Sequence, residues 1–469
     1  FDLRSKTVAE LAVAAQNVPS DETEHFVTDP RVPWALDSGI LPTVGSPNGV
    51  ADDDHDGIDE PSDRDGIARP VPGGSAVFIQ QIEDWNESGN LVTAAAAVTD
   101  ITLVSRAASS SNAGNGASTR PQILYVPNGG FTAPGTVGTI YIVYQSDASD
   151  LVAGDTNGAT DIFRTAVDLV SDAAGNLDLV INGNATAVSA TNGTTNVGDG
   201  ASTMAVVGGA SANVVAFQSL ATDLVAGFTD ANGAGSADIY LRNIGTNDTS
   251  LISHQTGNQA TGGNGASAVP AIDATGVGVA FASDATDLIA SDTNAVRDVF
   301  YADVSGTAPF SKVRASVTSA GDEGAGGISA DASIHVSGGG RTLVAFESDK
   351  TDLAAGLVAT TNVYLYDSDT GATTLLNQKL SSSLNEIGDG SARNPVIGAD
   401  GGSVAFESDA SNIDVLRDDG NGVTDVFLAD IAQALAGSVL PYRFSLTTLE
   451  ATDGNGASTE PRFSTFASP

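Results

Sequence analysis

The sequence predicts an all-β protein, a six-bladed β-propeller of four-stranded blades. Three observations carry that expectation. A ten-residue phrase recurs five times: IVYQSDASDL from Ile142, VAFQSLATDL from Val215, VAFASDATDL from Val279, VAFESDKTDL from Val344 and VAFESDASNI from Val404. Each copy sits in a unit of four short apolar pieces separated by Gly, Asp and Asn, the composition of brief strands joined by tight turns. The equivalent aromatics are spaced 73 residues (Tyr144 to Phe217), then 64 (to Phe281), 65 (to Phe346) and 60 (to Phe406). Four strands in a unit of that size fit a propeller blade, whereas solenoid coils are shorter and more uniform.

The pieces of the unit follow in a fixed order. An entry turn opens it, as in NGAST at Asn115, DGAST at Asp199, NGASA at Asn264 and DGSAR at Asp389. Its Gly is expected to supply positive φ at no steric cost. A first strand follows, such as Pro270–Ile272 or Pro395–Ile397, and then the VAF strand. After a polar loop comes the third strand: DIF at Asp161, DIY at Asp238, DVF at Asp298, NVY at Asn362 and DVF at Asp425. TSLISH from Thr249, TTLLNQ from Thr373 and YRFSLT from Tyr442 read as fourth strands. The aromatics of strands two and three are expected between neighbouring blades, where burial contributes roughly 1.5–3 kcal/mol per side chain.

The ends supply a sixth blade. AVFIQQIED from Ala76 and ITLVSRA from Ile101 read as strands three and four of a blade without its beginning. NGASTEPRF from Asn455 reads as its missing first strand, and Val32–Leu36 (VPWAL) as its second. Sharing this blade between the termini removes an open sheet edge. Residues 32–469 then form the propeller, and 1–31 a segment ahead of it. In that segment Thr7 and Glu10 make a capping box, so a short helix is expected over Val8–Asn17 as a cap against the ring or a partner.

The order NGAS, P-x-I-x-x-D-G, VAFxSDATDL, DTNGxxDVF, TLVSR, over about Ala76 to Phe466, resembles the TolB-like propeller repeats of bacterial exported proteins. That resemblance implies the fold. It leaves function open, because such blades serve as interaction platforms, as gates on peptidases and in lyases.

Composition narrows the partners. A net charge of −39, with 19 basic against 58 acidic residues, repels nucleic acid and anionic membranes and attracts divalent cations. No apolar run approaches the ~20 residues of a membrane span. The 41 % apolar fraction separates the chain from disordered acidic tails. Cysteine is absent, so no disulfide framework exists. The start at Phe1 fits a processed N-terminus, and the whole fits an extracellular or cell-surface location, with the periplasm as the alternative.

The densest chemistry is the acidic stretch 52–66. Asp52, Asp54, Asp56, Glu60 and Asp63 crowd around Gly57. Calcium takes six to eight hard oxygens, and alternating acids around a Gly turn can wrap one ion. Pro61 and its Gly and Pro neighbours disfavour EF-hand helices, and the spacing is closer to a thrombospondin-type loop. The loops between strands two and three offer further candidates. These are Asp155, Asn157 and Asp161 in blade two; Asp230, Asn232 and Asp238 in blade three; Asp292, Asn294 and Asp298 in blade four; and Asp418, Asn421 and Asp425 in blade six. The competing reading is Asx-turns closed without metal. Blade five carries LVATTN from Leu357 instead and is expected to bind none. Arg120, Arg393, Glu460 and Arg462 fall near the starts of first strands, where they form a channel site for an anion or pair with nearby acids.

No nucleophile elbow occurs, and His25, His55, His254 and His335 occupy different repeat positions. The leading expectation is therefore a non-enzymatic calcium-binding propeller that contacts other proteins or copies of itself. A secreted calcium-dependent hydrolase or lyase working at one channel mouth, and a periplasmic TolB-like scaffold, are the alternatives.

Overall fold

The computed structural model describes residues 34–37, 76–82, 98–128, 134–173, 177–354, 360–380, 385–414, 422–439, 441–445, 457–459 and 461. The helix expected over Val8–Asn17 and the acidic stretch 52–66 lie outside these residues.

Among them, five four-stranded antiparallel sheets follow one another, each with its strands in chain order. Blade two comprises Ser118–Pro127, Gly135–Ser146, Asp161–Ser171 and Leu177–Ala187. Blade three comprises Ser202–Gly208, Val214–Ser219, Asp238–Asn243 and Asp248–Leu251. Blade four comprises Ser267–Ile272, Gly278–Ser283, Asp298–Asp303 and Lys312–Arg314. Blade five comprises Ser329–Val336, Thr342–Ser348, Asn362–Asp367 and Ala372–Leu375. Blade six comprises Ala392–Ile397, Ser403–Ser408, Asp425–Asp430 and Tyr442–Arg443. Ahead of them stands a three-stranded sheet of Trp34–Asp37, Phe78–Ile82 and Val98–Leu103, in which Trp34 pairs with Gln81. The VPWAL segment therefore does supply a strand beside AVFIQ. The third and fourth strands of blade two run to 11 residues each, which accounts for the longest spacing in the repeat. A hairpin of Gln378–Leu380 with Asn385–Ile387 and a one-turn helix, Ile431–Leu435, are additions that the repeat pattern does not announce.

The repeated aromatics form the joints. Phe217 lies opposite Tyr240, Phe281 opposite Phe300 and Phe406 opposite Phe427, with ring centroids 6.0, 6.0 and 5.9 Å apart. Each pair packs on the preceding blade: Phe217 and Tyr240 on Val143 and Ile162, Phe281 and Phe300 on Ala216 and Ile239, Phe406 and Phe427 on Leu343 and Val363. Val77, Ile79 and Val104 of the three-stranded sheet meet Tyr144 and Phe163 in the same way. Sequential blades joined face to face through one core each are the architecture of a propeller.

Every described first strand carries a bulge, because its register shifts against strand two. At the bulge Arg120, Met204, Val269, Asp331 and Asn394 adopt the left-handed region, with φ of 52°, 56°, 51°, 44° and 52°. Such a conformation is costly for a non-Gly residue and persists where the surroundings fix it. Here part of that fixing crosses the joint. Gln145 Oε1 accepts from Met204 N (3.4 Å), Gln218 Oε1 from Val269 N (3.3 Å) and Glu347 Oε2 from Asn394 N (3.1 Å). No helix among the described residues is long and apolar enough to cross a membrane.

Candidate metal centres on the loop rim

The Asp that opens each third strand is buried in the joint. Asp161, Asp238, Asp298 and Asp425 are at most 2 % exposed. One carboxylate oxygen is committed to the fold. This Oδ1 accepts from the Oγ of Ser189 (2.7 Å), Ser253 (2.7 Å), Ser316 (2.5 Å) and Ser445 (2.7 Å) respectively. Ser189, Ser253 and Ser316 in turn accept the N–H of the residue after the Asp, at 2.9–3.0 Å. This sews strand three to strand four. The second oxygen faces the rim loop.

In blade two the loop closes over it. Asn157 Nδ2 donates to Asp161 Oδ2 (2.7 Å) and to Gly198 O of the next entry turn (2.8 Å), while its Oδ1 accepts from Ala159 N (2.8 Å). That is the Asx-turn of the competing reading. It leaves one oxygen of Asp155 unsatisfied: the residue is 7 % exposed and its Oδ1 has no hydrogen-bond partner, while the carboxylate accepts the backbone N–H of Asn157. Burial, with the charges of Asp155 and Asp223 added, pushes the Asp161 carboxyl up to about 7.

Blade three is looser. Asp230 Oδ1 accepts from Asn232 N (3.1 Å) and Gly233 N (2.7 Å). Asn232 Nδ2 lies 3.5 Å from Asp238 Oδ2 and 3.4 Å from Gly265 O, and Asn232 Oδ1 is buried without a partner. A Cβ on Gly262 would stand 2.6 Å from Asp238 Oδ2, so this Gly keeps open the space over that oxygen. Burial, with the charges of Asp230 and Asp287 added, pushes Asp238 up to about 7.

Blade four has the same Asn bridge, from Asn294 Nδ2 to Asp298 Oδ2 (3.0 Å) and Gly324 O (2.8 Å). Its surroundings differ. Asp292, Asp298 and Glu323 bring carboxylate oxygens within 4.8 Å of one another. Among them lies Arg314, with Nη1 2.5 Å from Glu323 Oε1, Nη2 3.6 Å from Asp292 Oδ1 and Nε 3.8 Å from Asp298 Oδ2. Lys350 Nζ, fully buried, pairs with Asp298 Oδ1. Burial raises Asp292 to about 6 against the pull of Arg314. Glu323 is held down at about 2, where hydrogen bonds from Thr293 and Arg314 overcome its partial burial.

Blade five replaces the Asp by Asn362, whose Oδ1 accepts from Asn377 Nδ2 (2.9 Å). In blade six Arg443 Nε stands 3.3 Å from Asp425 Oδ2, and Arg443 N donates to Asp414 Oδ2 (3.3 Å). Asp418 and Asn421 lie outside the described residues, as do Asp52, Asp54, Asp56, Glu60 and Asp63.

Of the four channel residues, Arg393 pairs with Asp409. Arg120 is exposed at its bulge, and Glu460 and Arg462 lie outside the described residues. Sequence reasoning missed the group beside Arg393. Glu347, raised by burial, shares a hydrogen bond with Asp331. Asn394 Nδ2 donates to Glu407 Oε1 (2.9 Å). The legible signal was VAFES in blades five and six where blades two and three read VYQS and VAFQS.

No protein-family model matches the sequence, and no curated protein is similar to it. Solved structures do align. A thermostable family-43 glycoside hydrolase does so at 11 % identity over 56 % of this chain and 76 % of its own, with a TM-score of 0.28. The GH93 α-L-arabinofuranosidase of Fusarium graminearum, solved with arabinobiose, aligns at 11 % over 79 % and 88 %, with a TM-score of 0.32. The α-L-arabinanase of Penicillium chrysogenum, also solved with arabinobiose, aligns at 13 % over 66 % and 82 %, with a TM-score of 0.28. These names correct the expectation of a non-enzymatic assembly module, for each belongs to a glycoside hydrolase. At such scores the likeness fixes no activity for this chain.

Proposed function

We propose that this chain is a calcium-binding, TolB-like β-propeller that works outside the cytosol, with ions seated in the rim loops of blades two and three. The observation that carries the reading is Asp155: a nine-tenths buried carboxylate with an unpartnered oxygen, beside a second buried carboxylate. Desolvated acids in that arrangement repel each other unless a proton or a cation joins them. Hard oxygens from Asp155, Asp161, Gly198 O and a turned Asn157 amide suit Ca²⁺, and blade three offers a similar set from Asp230, Asn232, Asp238 and Gly265 O, its carbonyl coming two residues later in the entry turn. An ion bound there would tie each rim loop to the entry turn of the next blade. Its role would be to stiffen the ring.

The same reading includes closure by a sixth, shared blade. Entry strands dock through one backbone bond: Ser202 N to Thr160 O (2.7 Å), Ser267 N to Ala237 O (2.8 Å), Ser329 N to Arg297 O (3.0 Å) and Ala392 N to Thr361 O (2.9 Å). Ser458 N makes that bond to Thr424 O at 2.8 Å, which supports a further first strand after blade six.

Thermal unfolding in millimolar Ca²⁺ against excess EDTA tests the proposal. Binding to the native state stabilises by about 2.7 kcal/mol per site at a hundredfold excess over Kd. The expected result is a raised midpoint in Ca²⁺ whose size falls when Asp155→Asn and Asp161→Asn are combined. An unchanged midpoint in wild type sinks the calcium reading.

A further inference from the structure

The repeat places equivalent residues in near-identical surroundings, so one blade serves as a control for another. Two positions decide what stands beside the third-strand Asp. The first is the fourth-strand residue paired with the third-strand aromatic. It is Ala187 opposite Phe163 in blade two, Leu251 opposite Tyr240 in blade three, Arg314 opposite Phe300 in blade four and Arg443 opposite Phe427 in blade six. The second comes from the next blade, two residues after the serine that ends strand two. It is Ala221 facing blade two, Ala285 facing blade three and Lys350 facing blade four. Blades two and three thus have apolar side chains at both positions, and blade four has cations at both.

Hydrogen bonding does not separate the blades, for Asp155 Oδ1 in blade two and both Asp292 oxygens in blade four are buried without a hydrogen-bond partner; what differs is the charge that faces them. In blade four Asp292, the equivalent of Asp155, faces Arg314 Nη2 at 3.6 Å, and Arg314 also reaches Asp298 and Glu323. The three-acid group of blade four resembles a metal site in its donors, yet the Arg314 guanidinium already lies among them, and Lys350 neutralises Asp298 from its other oxygen, Oδ1. In blade six Arg443 reaches Asp425 and stacks its guanidinium carbon 5.6 Å from the Phe427 ring centroid.

We infer that Arg314 with Lys350, and Arg443, are resident cations standing where blades two and three take Ca²⁺, so that the fourth-strand residue opposite the aromatic determines which rim loops depend on the ion. This rests on the calcium reading above. The blade-four loop then needs no metal, Asp425 of blade six is already ion-paired with Arg443, blade five is neutral through Asn362, and ion dependence is confined among the described loops to blades two and three.

Native mass spectrometry in Ca²⁺ counts the bound ions and separates the two ideas. Leu251→Arg should lose one ion relative to wild type and show a smaller midpoint shift between EDTA and Ca²⁺. The pair Arg314→Leu with Lys350→Ala should gain one ion and acquire a calcium-dependent midpoint. If the pair folds only in Ca²⁺, the inference is supported. If it folds in neither condition, Leu251→Arg decides alone. Wild type without bound ions overturns the calcium reading itself. Wild type with ions, together with an unchanged count in Leu251→Arg, overturns the inference and leaves that reading standing.

Discussion

Gln218 of blade three and Glu347 of blade five occupy the same place in the repeat and accept the same bond, from Val269 N at 3.3 Å and Asn394 N at 3.1 Å. An amide oxygen is acceptor enough for that bond, so the fold does not require the carboxyl of Glu347. At the rim the distribution runs the other way. There blades four and six neutralise a buried Asp with arginine, and blades two and three leave it raised to about 7. The inner strands and the rim therefore separate two demands on one scaffold. Bonds across the joint recur with little regard to charge, and charge is distributed blade by blade.

The largest expected effect breaks the rim half of this comparison. Asp298→Ala removes the partner of fully buried Lys350 and one partner of Arg314. Stranding buried cations costs about 3–5 kcal/mol. Asp161→Ala leaves no such cation behind, and it forfeits mainly the Ser189 and Asn157 bonds, about 1–3 kcal/mol. Urea melts of both variants in EDTA should show the gap, and adding Lys350→Met to Asp298→Ala should recover part of the loss. Equal losses in the two variants would mean that the cations in blade four carry no special weight.

A smaller effect sharpens it through pH. In EDTA the folded Asp161 and Asp238 hold a proton to about 7, whereas the unfolded chain releases it near 3.8. Between those values the folded state binds more protons, so raising the pH favours unfolding, by at most about 1.4 kcal/mol per pH unit for each carboxyl. Wild type in EDTA should lose stability from pH 5 to pH 8 by more than the Asp161→Asn/Asp238→Asn pair does. Saturating Ca²⁺, which binds the ionised form, should flatten the wild-type curve. A wild-type loss no larger than that of the double variant would refute the assignment.

The blades were legible because their signals are local: a phrase, a Gly turn, an aromatic at a fixed offset. Even the short strand Trp34–Asp37 of the first sheet could be placed by analogy. The rim residues were legible as turn formers, since Asn157 and Asp230 accept loop N–H groups as an Asx-turn requires. Which acids have arginine beside them was not legible. Arg314 comes from the fourth strand of blade four and Lys350 from blade five, and both reach Asp298 only when the two blades pack together. The Glu347–Asp331 pair was hidden for a related reason. Alternation puts Asp331 on the face opposite Ala330, and the left-handed bulge re-aims it toward Glu347.

The smallest expected effect concerns that pair and tests the inner half of the comparison. Glu347→Gln keeps an acceptor for Asn394 N, because Gln145 and Gln218 already make that bond in their blades. It removes a carboxyl whose folded form holds its proton above the ordinary range, through burial and the neighbouring Asp331 charge. An acid shifted in that direction lowers stability as pH rises through the interval between its unfolded and folded values. The variant should match wild type near pH 4 and exceed it at pH 8. Thermal melts across that range, with Ca²⁺ held saturating so that the rim is silent, isolate the difference. A variant less stable than wild type at pH 8 would show that the Glu347 carboxylate is required by the joint, and that bonds across the joint are not indifferent to charge.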